Sequence, residues 1–216
     1  MARLRTFIAV EIDRAVRDKA LALQETLARA GTDVKWVEPA NLHLTLLFLG
    51  EVVDRVVPDV CRRVAAVASR HAPFTMSLES AGAFPTPRRP KTLWVGVGEG
   101  LQELVALHDD LEEPLLDLGC YRREDRRYTP HLTLGRVKGD RPDDALATAL
   151  ARQSGWKGGK VPVREVLVLS SQLRPDGPEY TVLSRARLSA SPSRRPAAPA
   201  TPSDTAGSEG SSASGQ

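Results

Sequence analysis

Cysteine is scarce in this chain of 216 residues, and its spacing excludes several kinds of site. Only Cys61 and Cys120 occur, and neither belongs to a CxxC pair or to another zinc-ligand pattern. A disulfide scaffold needs more cysteines than this, whereas a core of this length needs none. We therefore expect two free or buried thiols in a reducing cytoplasm.

Long apolar runs are also absent. The N-terminal stretch MARLRTFIAVEID carries Arg3 and Arg5, and its apolar run is too short for a signal peptide. No later stretch approaches the roughly 20 apolar residues that cross a bilayer. The sequence therefore predicts a cytoplasmic protein without membrane contact.

Charge and glycine give little indication of function. The 16 glycines form no nucleotide-binding loop, so ATP-dependent ligation has no support. A net charge of +3 is too small to indicate nucleic acid by itself. Arginine is clustered in PRRPK (87–91) and RREDRR (122–127), but a solvated loop explains either cluster alone equally well.

The C-terminal stretch 190–216 differs in composition from the rest. Of its 27 residues, 22 are Ala, Ser, Pro, Gly or Thr, and none is large and apolar. Such a segment buries too little surface to offset the entropy lost on ordering. We therefore expect a two-lobed domain at 1–189 and a disordered tail at 190–216.

Secondary structure follows from hydrophobic periodicity. Strands are expected at 4–10, 43–49, 74–79, 92–97, 131–137, 161–170 and 180–183. Helices are expected around 16–27 after the N-cap candidate Asp13, around 60–67 after Asp54, and at 101–111 and 145–150. Pro114 is expected to kink or end the third helix.

This element order predicts an α+β fold of duplicated α/β units with mostly antiparallel sheets. We expect two lobes related by a pseudo-twofold axis, with the active-site cleft between them. The hinge is expected at 81–91, where Gly82 and three prolines crowd together.

The tetrapeptide HLTL occurs twice, at 43–46 and 131–134, and uses two of the four histidines. Side chains alternate faces along a strand, so His43 and Thr45 share one face, as do His131 and Thr133. A single His-x-Thr pair is most simply a polar strand face. Two identical pairs, related by the pseudo-twofold axis, would place two imidazoles and two hydroxyls around one pocket.

General acid and base catalysis is the chemistry that such a pair favours. An imidazole with a pKa near roughly 6.5 can be neutral in one copy and protonated in the other at neutral pH. Threonine hydroxyls can donate hydrogen bonds to the oxygens of a phosphoryl transition state. Metal binding is the competing use, but no carboxylate or cysteine lies at ligand spacing beside either motif.

These motifs and their flanks resemble the two-histidine (2H) phosphoesterases, in the branch of the RNA 2′,3′-cyclic phosphodiesterases and 2′-5′ RNA ligase-like proteins. The resemblance covers RTFIAV, WVEPANLHLTLLFLGEV, the AFP turn, LWVGV, TPHLTLGRV and LVLSSQLRPDGPEYTVL. It implies a metal-independent, cofactor-free enzyme that opens the 2′,3′-cyclic phosphate of an RNA end, such as a tRNA fragment, to a 2′-phosphate. A monomer is expected.

The resemblance also implies roles for the motif residues. His43 would protonate the departing 3′ oxygen, His131 would activate water, and Thr45 and Thr133 would bind phosphate oxygens. The sequence itself does not distinguish acid from base between two nearly identical motifs.

Further substrate contacts are expected from Arg136, Arg5 and Phe48. Arg136 matches the arginine that follows the family's second motif, but strict alternation turns it away from the face of His131. Either a bulge near Gly135 re-aims this side chain, or it is a surface residue. Arg5 could reach the cleft from its strand, and Phe48 and Trp36 could either stack on a base or pack in the core.

Three alternatives stay open. The same pocket could join a cyclic end to a 5′-hydroxyl through a 2′-5′ linkage, or could act on a small cyclic nucleotide. A non-catalytic RNA-binding module would use the arginine clusters and bind in a salt-sensitive way. The dipeptide of His108 and Asp109 is reminiscent of a metal phosphohydrolase, but it lacks a second such pair and is set aside.

Overall fold

The computed structural model describes residues 2–123, 127–139, 141–175 and 177–190, and within them nine strands and four α-helices. The strands are β1 (Arg3–Glu11), β2 (Val34–Trp36), β3 (His43–Val53), β4 (Phe74–Thr86), β5 (Arg89–Val97), β6 (His131–Val137), β7 (Lys157–Val163), β8 (Glu165–Leu173) and β9 (Pro178–Arg187). The helices are α1 (Arg14–Ala28), α2 (Val57–Ala68), α3 (Leu101–Asp117) and α4 (Asp144–Arg152).

All nine strands belong to one curved, antiparallel sheet. Its order is β7-β4-β5-β6-β3-β1-β8-β9, and the short β2 pairs with β6 beside this path. Every strand pairing is antiparallel. The predicted α+β class with antiparallel pairing is confirmed.

The sheet consists of two four-stranded halves that meet at one residue pair. In the order from centre to edge, one half is β3-β1-β8-β9 and the other is β6-β5-β4-β7. Among the described residues, β3 and β6 are paired at a single position, where Leu44 lies opposite Leu132. An antiparallel residue pair has a local twofold axis, which here relates the first leucine of one HLTL copy to the first leucine of the other.

The two halves are not consecutive in sequence, and the predicted hinge is wrong. Residues 81–91 lie within the β4–β5 hairpin of a single half, with Phe84 opposite Thr92 and Thr86 opposite Arg89. The chain instead crosses between halves several times, because the N-terminal β1 pairs with the C-terminal β8, which in turn pairs with β9. Proline and glycine at 82–90 mark a register shift and the hairpin turn rather than a domain boundary.

The helices pack against the sheet and bury the leucines of the two motifs. Helices α2 and α3 pack on the half that contains β3, whereas α1 and α4 pack on the half that contains β6. The leucines Leu44, Leu46, Leu132 and Leu134 have relative exposures between 0% and 2% and belong to one continuous core. The His/Thr face of each strand is therefore turned away from this core.

Local sequence signals account for most element boundaries. The Asp13 carboxylate accepts a hydrogen bond from the Val16 amide at 2.8 Å and caps α1. Asp143 caps α4 in the same way. Pro114 is expected to kink or end α3, and it does not end the helix, which continues to Asp117. Buried Leu111 and Leu115 on either side of the proline offset the backbone hydrogen bond that it cannot donate.

Two other differences from the sequence pattern concern the edges of the sheet. The strand expected at 161–170 is two strands, β7 and β8, separated by Arg164. The three-residue β2 had no periodic signal.

Of the predicted tail, Ala190 donates its amide to the His71 carbonyl, and 191–216 lie outside the described residues. No helix in the described ranges is long and apolar enough to span a bilayer.

Candidate active site

The two His/Thr faces meet where β3 touches β6. Because Leu44 lies opposite Leu132 on antiparallel strands, the side chains that flank each leucine are brought around the same point. The structure thus brings together His43, Thr45, His131 and Thr133, named here the quartet.

The quartet separates two cavities. The β9-side cavity, of about 550 Å³, is lined by His43, Thr45, Thr133, Phe48, Arg136, Arg5, Phe7, Lys35, Trp36 and Tyr180 among others. The α3-side cavity, of about 560 Å³, is lined by His131, Thr45, Phe48, Phe84, Lys91, His108 and Tyr128 among others. Thr45 and Phe48 border both cavities, so the quartet lies at the boundary between them.

Both catalytic candidates are held by the same backbone contact. His43 Nδ1 lies 2.7 Å from the Asn41 carbonyl oxygen, and His131 Nδ1 lies 2.7 Å from the Thr129 carbonyl oxygen. A carbonyl only accepts, so each Nδ1 carries its proton and each Nε2 of the neutral ring is an acceptor. The geometry leaves both Nε2 atoms available for proton transfer.

The two Nε2 atoms differ in their partners. His43 Nε2 lies 3.0 Å from the Thr45 hydroxyl oxygen. His131 Nε2 has no hydrogen-bond partner among the residues that the structure describes. The Thr133 hydroxyl on β6, which corresponds to that of Thr45 on β3, therefore forms no hydrogen bond with His131 in the described part of the chain.

Burial lowers the pKa of both imidazoles below the usual value of 6.5. For His43, desolvation is the largest cause, and the hydrogen bond to the Asn41 carbonyl opposes it. For His131, desolvation again dominates over the Thr129 hydrogen bond, and the charge of Arg136 lowers the pKa further. Both rings of the free protein are thus mostly neutral at pH 7.

Aromatic side chains surround each histidine on both sides of the twofold axis. The rings of Phe7 and Tyr180 lie with their centroids 4.9 Å apart, and 4.9 and 5.3 Å respectively from the His43 ring. Phe84 and Trp94 lie 5.1 and 6.5 Å from the His131 ring. These contacts fix the imidazoles and supply the apolar surroundings that lower their pKa values.

Sequence reasoning assigned none of these aromatic residues to the site. Phe84 and Tyr180 do fall in the AFP and GPEYTVL segments that carry the family resemblance, and that was the available signal. Their positions could not be derived from spacing, because they come from β4 and β9, far from the motifs in sequence.

Two β-bulges decide the directions of Arg136 and Phe48. On β6, Trp94 faces Thr133 and the preceding Leu93 faces Gly135, so Leu134 is an extra residue. On β3, Leu46 is the extra residue in the same way. Each bulge reverses the alternation that follows, and Arg136 and Phe48 both line the β9-side cavity together with His43 and Thr45.

Arg5 and Lys35 reach the same cavity from neighbouring strands. The Arg5 guanidinium carbon lies 4.7 Å from the centroid of the Phe48 ring. Lys35 is the cross-strand partner of Arg136. Trp36 is half-buried. It packs against the core and also lines the cavity, so its position is compatible with both alternatives, core packing and stacking on a base.

Tyr128 links the second motif to the first. Its hydroxyl donates to the Thr45 carbonyl oxygen at 2.8 Å, and its ring stacks on His108 with centroids 4.1 Å apart. Strands β3 and β6 diverge beyond their one paired position, so this carbonyl has no partner strand on that side.

One group of potential metal ligands occurs among the described residues, and it lies outside the quartet. The ligand atoms of His108, Asp109 and Glu112 lie within 4.8 Å of one another. However, His108 Nδ1 is 2.9 Å from Asp109, and Glu112 accepts the Tyr121 hydroxyl at 2.8 Å and pairs with Arg123 at 3.1 Å. These atoms already have partners, and the resemblance to a metal phosphohydrolase gains no support.

Comparison with known proteins gives a consistent result. The sequence profile of the 2′-5′ RNA ligase superfamily matches residues 10–174. The RNA 2′,3′-cyclic phosphodiesterase of Methanothermobacter thermautotrophicus is 38% identical over 186 residues, which cover 86% of this chain and 100% of that protein. The protein of the same name from Archaeoglobus fulgidus is 38% identical over 82% of this chain and 96% of its own length.

Solved structures agree with this assignment. The crystal structure of TT0787 of Thermus thermophilus superposes with a TM-score of 0.72 at 29% identity, over 85% of this chain and 97% of that one. Escherichia coli LigT complexed with 3′-AMP superposes with a TM-score of 0.67 at 25% identity, over 86% and 98%. By profile, identity and fold, this chain belongs to the 2′-5′ RNA ligase superfamily of 2H phosphoesterases.

Proposed function

We propose that the protein is an RNA 2′,3′-cyclic phosphodiesterase, which hydrolyses the cyclic phosphate at an RNA end to a 2′-phosphomonoester without a metal ion. The observation that carries the proposal is the quartet, in which two imidazoles with acceptor Nε2 atoms and two hydroxyls lie around one point. The activity named for the relatives from M. thermautotrophicus and A. fulgidus supports the same reaction.

In the proposed mechanism His131 is the general base. Its Nε2 has no partner within the described part of the chain, so it can accept a proton from water as the water oxygen bonds to phosphorus. The Nδ1 atom keeps its proton and donates it in a hydrogen bond to the Thr129 carbonyl oxygen, which stabilises the imidazolium that forms. The low pKa of His131 keeps the ring neutral before reaction.

His43 is the general acid on the opposite side of the phosphorus. As the bond between phosphorus and the 3′ oxygen breaks, His43 Nε2 donates a proton to that oxygen and a 3′-hydroxyl results. The buried ring is neutral in the free protein, and the negatively charged cyclic phosphate raises its pKa on binding. The 2′ oxygen keeps its bond to phosphorus. His131 takes one proton from water and His43 donates one to the 3′ oxygen, so one water is consumed for each cyclic phosphate that is opened.

Thr45, Thr133 and Arg136 stabilise the transition state in this proposal. Once His43 is protonated, its Nε2 no longer accepts a hydrogen bond from Thr45, and both threonine hydroxyls donate to the non-bridging oxygens as charge builds up on them. The Arg136 cation, directed into the cavity by the bulge at Leu134, neutralises the same oxygens.

Product analysis tests the proposal directly. An oligonucleotide with a 2′,3′-cyclic end is incubated with wild type, His43→Ala or His131→Ala, and the ends are identified as 2′- or 3′-phosphates. We expect a 2′-phosphate from wild type and a loss of at least 100-fold in kcat for each variant. Wild-type rates that persist in either alanine variant would refute the acid–base assignment.

A chelator separates this mechanism from a metal-dependent one. The rate is expected to be unchanged after treatment with EDTA, because the quartet performs both proton transfers. A matched variant, Glu112→Gln, disrupts the separate His108 group and is expected to leave the rate intact. An EDTA-sensitive rate would favour the metal alternative.

A second reaction is favoured by the α3-side cavity. It adjoins His131 and has room for a nucleoside, so a 5′-hydroxyl could replace water and be joined through a 2′-5′ linkage. Water at its high concentration favours hydrolysis. Adding a 5′-hydroxyl oligonucleotide and measuring the fraction of 2′-5′ product tests this reaction, and a fraction of zero excludes it.

The finer points of the proposal concern substrate source, assembly and compartment. We propose tRNA fragments with cyclic ends as physiological substrates and a monomer as the active form, since one chain supplies the whole quartet. The free thiols Cys61 and Cys120 fit the cytoplasm. Light scattering measures the assembly state, and sequencing of cyclic RNA ends in a deletion strain identifies the substrates.

A further inference from the structure

The β9-side cavity contains more positive charge than one cyclic phosphate requires. Arg5, Lys35 and Arg136 line it, whereas Glu38 is the single acidic residue among the described residues of its lining. In the part of the chain that the structure describes, none of the three cations forms an ion pair. A cyclic phosphate carries one negative charge, so at least one cation is left for a second anion.

Lys35 and Arg136 are an unfavourable pair unless an anion lies between or beside them. They lie directly opposite each other on the paired strands β2 and β6, and both side chains are exposed. Like charges directly opposite each other destabilise antiparallel strands. Both line the β9-side cavity, where a ligand of opposite charge would relieve their repulsion.

Arg5 is oriented by an aromatic side chain instead of a carboxylate. Phe48 is 41% exposed, which is unusual for a large apolar residue, and the Arg5 guanidinium lies over its ring. A carboxylate partner would neutralise this arginine, whereas a ring face positions it and leaves its N–H donors free. Arg5 is thus presented to the cavity with its hydrogen-bonding capacity available.

The position of the leaving oxygen decides which part of the RNA enters this cavity. If His43 protonates the 3′ oxygen, as in the proposed function on which this inference rests, the ribose lies on the His43 side of the quartet. His43 lines the β9-side cavity and His131 lines the other one. The terminal nucleoside and the chain on its 5′ side therefore occupy the β9-side cavity.

We infer that Arg5 and Lys35 bind the phosphodiester on the 5′ side of the terminal nucleotide, so that the enzyme selects RNA strands over cyclic mononucleotides. Arg136 is assigned to the cyclic phosphate because it follows Thr133 on β6 and lines the cavity together with Thr133 and His43. The second phosphate adds affinity through charge-assisted contacts that a mononucleotide cannot make.

Three substrates separate the role of this phosphate from that of the cyclic one. They are adenosine 2′,3′-cyclic phosphate, the dinucleotide ApA with a 2′,3′-cyclic end, and the same dinucleotide with an uncharged methylphosphonate linkage. The quantity measured is kcat/KM for each, and its ratio between dinucleotide and mononucleotide. Wild type is expected to prefer the charged dinucleotide at least tenfold and to lose most of that preference with the methylphosphonate.

Variants then assign the preference to particular cations. Arg5→Gln and Lys35→Gln are each expected to lower the ratio at least threefold and to reduce the penalty of the methylphosphonate. Arg5→Lys, which keeps the charge, is expected to retain most of the ratio. Arg63→Gln removes an exposed arginine from α2, outside the cavity lining, and is the matched control with an unchanged ratio.

The outcomes distinguish this inference from the function on which it rests. A wild-type ratio near one, an equally good methylphosphonate, or a ratio that survives both Arg5→Gln and Lys35→Gln would overturn the inference, while cyclic phosphates are still opened. If no substrate is opened to a 2′-phosphate, the proposed function itself fails.

Discussion

At the scale of single residues, His43 and His131 share their restraints and differ in two contacts. Each donates Nδ1–H to the carbonyl two residues earlier, and each is surrounded by aromatic rings. They differ because the Thr45 hydroxyl oxygen lies 3.0 Å from His43 Nε2, whereas the charge of Arg136 lowers the pKa of His131. These differences can make two otherwise equivalent imidazoles act as acid and base.

The pH dependence of kcat/KM can be predicted from the directions of the two histidine pKa shifts. Both pKa values lie below 6.5 in the free protein, so the maximum of kcat/KM is expected below pH 6.5. The acidic limb reports protonation of the base, and the alkaline limb reports loss of the acid's proton. Bound phosphate raises the pKa of the acid, so the alkaline limb of kcat is expected at higher pH than that of kcat/KM.

The variant Arg136→Gln shows whether the acidic or the alkaline limb of the kcat/KM profile reports the titration of His131. Removing the cation raises the pKa of His131, so the acidic limb of kcat/KM is expected to move to higher pH if His131 is the base. Arg5→Gln removes a cation that has no such effect on His131, and is the control for limb position. Movement of the alkaline limb instead would reverse the acid and base assignment.

At the scale of elements, the bulges at Leu46 and Leu134 decide what the motif strands present to the cavity. Without them, strict alternation would turn Phe48 and Arg136 toward the core. Gly135, next to the second bulge, is buried against β2, and a Cβ there would lie 2.6 Å from Val34 Cγ1 and 2.9 Å from Trp36. The glycine thus permits β2 to pair with β6 and to bring Lys35 to the cavity.

Gly135→Ala is therefore expected to destabilise the protein by about 1–3 kcal/mol, because β2 must shift to accommodate the methyl group. Loss of the Lys35 position is expected to lower kcat/KM on an oligonucleotide more than on a mononucleotide. Urea denaturation measures the free energy of unfolding. Gly155→Ala is the matched control, since a Cβ at that position meets no atom within 4 Å. Equal stability of the two variants would contradict the role given to Gly135.

At the scale of the whole molecule, the quartet depends on one point of contact between the two halves. The halves are joined by chain crossings, by the Leu44–Leu132 pair and by the hydrogen bond from Tyr128 to Thr45. Both histidines are thereby desolvated on folding. The folded state consequently binds protons at these positions less readily than the unfolded chain does.

Acid sensitivity of the fold follows from this desolvation. The unfolded histidines take up protons as the pH falls below about 6.5, whereas the folded ones resist until their lower pKa values are reached. Stability is thus highest above pH 6.5 and falls on acidification by at most about 1.4 kcal/mol per pH unit and proton. The double variant with His43→Gln and His131→Gln is expected to lose less stability between pH 7 and 5. Parallel curves for both proteins would show that these histidines do not carry the effect.

The sequence by itself determined the strand character and facing of both HLTL copies, the capping of α1 by Asp13 and the family. Those properties depend on neighbouring residues, since alternation and capping act over a few positions. Only the tertiary structure decided that β8 and β9 join β1 and β3, that α3 continues through Pro114, and that Phe7, Phe84, Trp94 and Tyr180 surround the histidines. It also turned Arg136 into the cavity, because a bulge depends on pairing with another strand and local periodicity does not encode that pairing.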